Sequence, residues 1–173
     1  MILLADIGAT NARFSVTTDC HQYEHSDNLQ VVGFDSLEEL CNDYLNRYQL
    51  ANKVNKAVIG VAAPILNDEV SFVNANISFS IQGLKKQFFK EGLIVINDLA
   101  LQAHAIKGLE KNELSFIGLN KQQVNGPKLL VSPGTGLGLA GITAQEIIST
   151  EAGHLNIPQK EIKHDLKKII DTF

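Results

Sequence analysis

The sequence predicts an α/β protein with a mixed β-sheet, and three observations carry that expectation. The chain opens on a strand–turn–strand, Ile2-Leu3-Leu4-Ala5-Asp6-Ile7-Gly8-Ala9-Thr10-Asn11-Ala12-Arg13-Phe14-Ser15-Val16. Lys56–Ala63 is a nearly unbroken apolar run, the pattern of a central strand covered on both faces, and Leu93–Ile96 is another apolar strand. Between them lie segments with apolar residues at helical spacing, so hairpins and α/β crossovers follow one another along the chain.

Taken in order, the two opening strands lead into a polar turn region, Asp19 to Asn28, and a third strand at Leu29–Phe34. A helix comes after it, capped by Ser36 with Glu39 reaching back, and Leu37, Leu40, Cys41, Tyr44, Leu45 and Tyr48 fall on one face. Pro64 stops the Lys56–Ala63 strand. A short strand at Glu69–Val73, a helix near Ser80–Phe89, the Leu93–Ile96 strand and a helix from Asn97-Asp98 to about Lys107 come next. Beyond a boundary near Gly108–Lys111 the strand pattern restarts at Leu114–Ile117, Lys128–Ser132, a run through Ile142, and Ile147–Ser149. Ile162, Leu166, Ile169, Ile170 and Phe173 then form an apolar helical stripe with no Gly, Asn or Pro to close it, as expected of a truncated chain.

Composition narrows the function classes. A chain of 173 residues holds one ordinary domain or a piece of something larger, and 45% hydrophobic with 20% charged residues is globular rather than disordered. A formal net charge of −4 with no block of Lys or Arg argues against nucleic acid and anionic membranes as partners. The apolar runs are too short to span a bilayer, and the N-terminus reads as a strand rather than a signal peptide. Cys20 and Cys41 are therefore expected as free thiols in a reducing cytoplasm, and the Asn76-Ile77-Ser78 sequon as unused.

The residues that could carry chemistry each allow more than one reading. Gly8 lets the backbone approach a ligand, and the turn's N–H groups with Thr10 and Asn11 can cradle phosphate oxygens; Asp6 is placed to act through a magnesium ion or its water. The alternative is a plain hairpin turn. Asp98, at the end of a buried strand, is either a general base for a substrate hydroxyl or the cap of the helix beginning there. Gly134-Thr135-Gly136-Leu137-Gly138 is a second glycine-rich turn that could hold a phosphate. Gly136 to Gly141 fits G-x-G-x-x-G, but the residues after it are β-branched and strand-like, so a dinucleotide-binding helix is excluded. Glu151-Ala152-Gly153-His154 is a weak metal site and a better set of hydrogen-bonding groups for a polyhydroxylated ligand, or a surface turn. Asn74 is either a turn residue or an amide for a sugar diol. His21, His25, His104 and His164 are read as surface or structural residues.

In this order the segments resemble the bacterial glucokinase family of the actin/hexokinase/heat-shock-ATPase superfamily, over about the first half of a family member. Asp6-Ile7-Gly8-Ala9-Thr10-Asn11-Ala12-Arg13 is similar to its Asp-x-Gly-Gly-Thr-Asn-x-Arg phosphate loop, and Ala62-Ala63-Pro64-Ile65 to its Ala-x-Pro-Ile segment. Ile96-Asn97-Asp98 matches Ile-Asn-Asp, Pro133–Gly138 matches most of Gly-x-Gly-Thr-Gly-Leu-Gly, and Glu151–His154 resembles Glu-Gly-Gly-His. The resemblance implies a ribonuclease-H-like (actin-like ATPase) fold: an N-terminal α/β domain over 1–108 and the start of a larger second domain over 109–173. It implies phosphoryl transfer from ATP, with Mg2+, to the 6-hydroxyl of glucose in a cytoplasmic enzyme that is a homodimer at full length. Asp98 would be the general base; Asn74, Asn97, Glu151 and His154 would hold the sugar; Asp6, Gly8, Thr10, Asn11, Gly134, Thr135 and Gly136 would hold the nucleotide.

Three departures stand out. Ala9 replaces the loop's second glycine, which costs on the order of 1 kcal/mol if that position needs positive φ. Ala152 makes the same change in the sugar loop, and Val73-Asn74-Ala75-Asn76-Ile77 keeps the asparagine of Thr-Asn-x-x-Trp without its neighbours. A non-catalytic sugar-binding or degenerate domain on the same fold is the alternative reading, and the fragment alone is expected to be inactive.

Overall fold

The computed structural model of the protein describes residues 1–72, 77–115, 117, 126–133 and 137–150. They fall into two compact units, one within Met1–Val124 and one within Asn125–Phe173.

The first unit is built on a five-stranded sheet. Its strands are β1 (Ile2–Ile7), β2 (Asn11–Thr17), β3 (Glu24–Gln30), β4 (Lys56–Val61) and, after two short strands, β7 (Gly92–Asn97). The spatial order is β3-β2-β1-β4-β7; the first two pairings are antiparallel and the last two parallel, the mixed sheet the sequence predicts. Alternation along β1 puts Leu3, Ala5 and Ile7 on one face, and register places Val16, Phe14 and Ala12 of β2 beside them. Helix α1 (Leu37–Arg47) covers that face with Leu37, Leu40, Cys41, Tyr44 and Leu45, and the Tyr44 ring stacks on Phe14 at 4.8 Å. Its start is a variant of the predicted box: Ser36 accepts from the Glu39 N–H at 3.2 Å, while the Glu39 carboxylate accepts from the Asp35 N–H at 3.0 Å.

The short strands β5 (Glu69–Ser71) and β6 (Ser78–Ser80) pair with each other and lead into α2 (Ile81–Gln87), capped by Ser80. Helix α3 (Asp98–Ile106) lies on the opposite face of the sheet. There Gly60 makes room for it: a Cβ at that position would sit 2.5 Å from Leu101 Cδ2. No helix among the described residues is long and apolar enough to cross a membrane.

Two expectations are corrected. The third strand is Glu24–Gln30, not Leu29–Phe34, so the polar stretch Asp19–Asn28 is strand from Glu24 onward. As the edge strand of the sheet it spends its backbone on β2 and leaves nearly all its side chains in water, so polar residues suit it. Nor is there a strand at the described residues of Leu114–Ile117. A 3-10 turn at Lys111–Glu113, closed by the Glu110 N–H on the Glu113 carboxylate, precedes them, and Ile117 is fully exposed.

The second unit contains β8 (Lys128–Pro133), β9 (Leu137–Ile142) and β10 (Ile147–Thr150), an antiparallel sheet of order β10-β9-β8. Gly138 and Gly141 lie inside β9, so the described part of the G-x-G-x-x-G run, Leu137 to Gly141, is strand, as its β-branched sequel predicts. The apolar stripe at 162–173 lies outside the described residues.

Candidate active site

Parallel pairing decides where the chemistry can be. Ile7, Val61 and Asn97 are in register across β1, β4 and β7, so the three strands end at one edge of the sheet. The chain leaves them as the Gly8–Thr10 turn, the Ala62-Ala63-Pro64 segment and the Asn97–Asp98 helix start. Gly8 and Asp98 are two strands apart, about 10 Å by sheet spacing. Strand ends of this kind form the crevice in which α/β sheets bind ligands.

Backbone hydrogen bonds hold the turn. The Gly8 N–H donates to the Asn11 carbonyl at 2.9 Å, the Val31 N–H to the Thr10 carbonyl at 2.9 Å, and the Ala62 N–H to the Ile7 carbonyl at 2.9 Å. A Cβ on Gly8 would come within 3.3 Å of the Asn11 oxygen, a contact that glycine avoids. Ala9 is not strained. The described non-glycine residues with positive φ are Cys20, His25 and Gln49, so the feared cost at Ala9 is absent. Thr10 is exposed and Asn11 half-buried.

Asp6 faces Arg13 across the β1–β2 pair, with 3.0 Å between carboxylate and guanidinium. At 40% and 67% side-chain exposure this is a solvated ion pair, worth about 0–1 kcal/mol. Both residues stand at the mouth of a cavity of about 800 Å3, whose walls include Leu4, Val58, Leu101 and Ala105. Magnesium keeps most of its waters and takes few protein ligands, so Asp6, already paired with Arg13, would have to exchange or share that partner to hold the ion. Among the described residues no three His, Cys, Asp or Glu side chains converge as a metal cluster.

At the other strand end the cap is Asn97, not Asp98. Asn97 Oδ1 accepts from the Leu99 N–H at 3.0 Å and the Ala100 N–H at 3.3 Å, and Asp98 is the first helical residue. The Asn97 amide nitrogen donates over a long 3.5 Å to the Ala63 carbonyl, tying β7 to the segment after β4. Asp98 is half-buried; its Oδ1 accepts from the Leu99 N–H at 2.8 Å, and the helix N-terminus favours its anion.

The structure thus gathers Asp6, Gly8, Thr10, Asn11, Asn97 and Asp98 at one end of one sheet. Asn74, Gly134, Thr135, Gly136, Glu151 and His154 lie outside the described residues. Sequence reasoning missed Gln30, whose Nε2 donates to Asn11 Oδ1 at 2.8 Å. Only the β2–β3 register could have found it, and a third strand read at Leu29–Phe34 does not say which residue of β2 Gln30 faces.

Comparison with known proteins agrees with this arrangement. The family model for glucokinase matches residues 3–170. The glucokinase of Helicobacter acinonychis is 35% identical over 161 residues, covering 89% of this chain and 48% of that protein. Neisseria meningitidis glucokinase is 33% identical over 160 residues, covering 90% of this chain and 48% of that protein. The crystal structure of a glucokinase from an Antarctic psychrotroph superposes with a TM-score of 0.76 at 31% identity, over 98% of this chain and 55% of that one. The chain therefore spans about half the length of the curated relatives it matches. A Gly8–Asn11 turn and an Asn97–Asp98 helix start at one end of a mixed sheet, in a chain matched along nearly its whole length, place it by fold and sequence alike: the chain belongs to the glucokinase family.

Proposed function

We propose that this chain forms the half of an ATP-dependent glucokinase that carries the first phosphate loop and the general base. The observation that supports it best is the β1–β4–β7 register, which sets the Gly8–Asn11 turn and Asp98 at one edge. Asp98 accepts the proton of the glucose 6-hydroxyl as that oxygen bonds to the γ-phosphorus of ATP, and the bridging oxygen leaves on ADP with its electron pair. The turn's N–H groups, Thr10 and Asn11 orient the phosphates; Asp6 would hold a magnesium ion, directly or through water, and that ion would supply charge neutralisation there. Asn97 fixes the helix that carries Asp98. Asn74, Glu151 and His154 hold the sugar hydroxyls, and Gly134, Thr135 and Gly136 a further phosphate contact.

On this reading residues 1–108 form the first domain and 109–173 begin the second. The full-length protein is a cytoplasmic homodimer at the first step of glycolysis, with neither nucleic acid nor membrane as partner. The 173-residue chain alone is inactive or nearly so. Calorimetric titration with glucose, and separately with Mg-ATP, tests the half-sites: heat from glucose supports a formed sugar site, and silence from both means a longer chain is needed. In a full-length form, Asp98→Asn should lower turnover about 10²–10⁴-fold with glucose affinity nearly kept. Equal loss of binding and turnover would make Asp98 structural.

A further inference from the structure

The amide of Asn11 has two chemically opposite ends, and only one of them suits an anion. If its Nδ2 hydrogens face a phosphate the contact is attractive; if Oδ1 does, two acceptors meet and repel. A side-chain amide at the start of a strand, half-buried as Asn11 is, can still rotate between these states, so something must choose. Asn11 is paired across β2–β3 with Gln30. Gln30 Nε2 donates to Asn11 Oδ1 at 2.8 Å, which occupies the acceptor end and leaves the two N–H groups without a partner among the described residues. The next residue works on the same turn, because the Val31 N–H donates to the Thr10 carbonyl at 2.9 Å. Edge strand β3 and the residue after it thus grip the turn at two successive positions, once through a side chain and once through backbone.

We infer that Gln30 is a positioning residue of the phosphate loop: by donating to Asn11 Oδ1 it fixes the amide so that its N–H end is presented to a phosphate oxygen. This rests on the reading of Gly8–Asn11 as a phosphate loop. Gln30 itself is exposed and is not one of the core residues, so the core does not depend on it. An exposed neutral hydrogen bond contributes little to folding, whereas a repelling acceptor against an anion is felt in affinity.

The test is titration of the 15N-labelled chain with magnesium pyrophosphate, followed at the Gly8 and Thr10 amides and the Asn11 side-chain NH2. In the unsubstituted chain all three should shift together and saturate. Gln30→Ala should weaken binding about five- to tenfold and abolish the Asn11 NH2 shift, with the thermal midpoint unchanged. Asn11→Ala should weaken binding similarly, and adding Gln30→Ala to it should weaken it no further, since the two residues act as one unit. If Gln30→Ala binds as tightly as the unsubstituted chain, or weakens Asn11→Ala again by the same factor, the positioning role is wrong while the loop reading stands. If the unsubstituted chain shows no saturable shift at Gly8 and Thr10, the phosphate-loop reading falls and this inference with it.

Discussion

Cys20 and Cys41 are the same side chain in opposite surroundings, and their chemistry should separate accordingly. Cys41 lies on the buried face of α1, where burial pushes its thiol well above the usual range and the nearby Glu38 charge adds to the effect. Cys20 is exposed, in a turn with φ of 62°. A disulfide-exchange reagent at pH 8 should label Cys20 in the native protein at once and Cys41 only as fast as the chain unfolds. Equal labelling rates would contradict the packing of α1. A related contrast separates Asn97 from Asp98. Amide and carboxylate cap helices equally well, so the sequence alone could not decide between them. The structure decides by letting β7 run through Asn97 to its register partner Val61, which makes Asn97 the boundary residue and leaves Asp98 as the first residue of the helix.

Among elements, those whose side chains meet the core were legible and those meeting water were not. β1, β4, β7 and α1 announce themselves by alternation, apolar runs or a helical stripe, because burial selects those patterns. β3 is held by backbone bonds on one side only, and backbone bonds leave no mark on side-chain type. Nor do backbone bonds reveal register, which is what hid the pairing of Gln30 with Asn11. Helix α2 shows a support that sequence also missed. Asp68 accepts from Ser80 Oγ at 2.5 Å and from the Gln82 N–H at 2.8 Å, and these two bonds, the side-chain one foremost, hold its carboxyl below the usual carboxylate range. A lowered folded pKa means the stabilisation is complete above the unfolded value near 4 and is lost as pH falls through the folded one. Urea unfolding of Asp68→Asn should therefore show a loss at pH 7 that shrinks towards pH 2. A deficit independent of pH would assign the effect to packing rather than to charge. At the N-terminus of α1, Ser36→Ala removes the acceptor for the Glu39 N–H and should cost about 1 kcal/mol by the same assay, with no change in m-value.

At the scale of the molecule, the second unit presents apolar residues that no described partner covers. Leu129, Val131, Leu137 and Ile148 are each 45–65% exposed, and the β8–β9–β10 register sets them on one face of the sheet. Such a patch favours self-association. Sedimentation of the 173-residue chain should show mass rising with concentration, and Leu129→Lys with Ile148→Lys should suppress it; a monomer at every concentration would refute this. The sheet order of the first unit has a consequence of another kind. β1 is made first but stands in the middle, and its two neighbours reach it on different terms. β2 closes on it through the Gly8–Thr10 turn, whereas β4 must bring Lys56 back to Ile2. Closing so distant a pair is the slower event. The Ala62 amide that grips the Ile7 carbonyl arrives with β4. During synthesis, therefore, the nascent chain acquires the turn's shape early and its anchorage late, so a fully anchored turn reports that the central parallel pair has zipped.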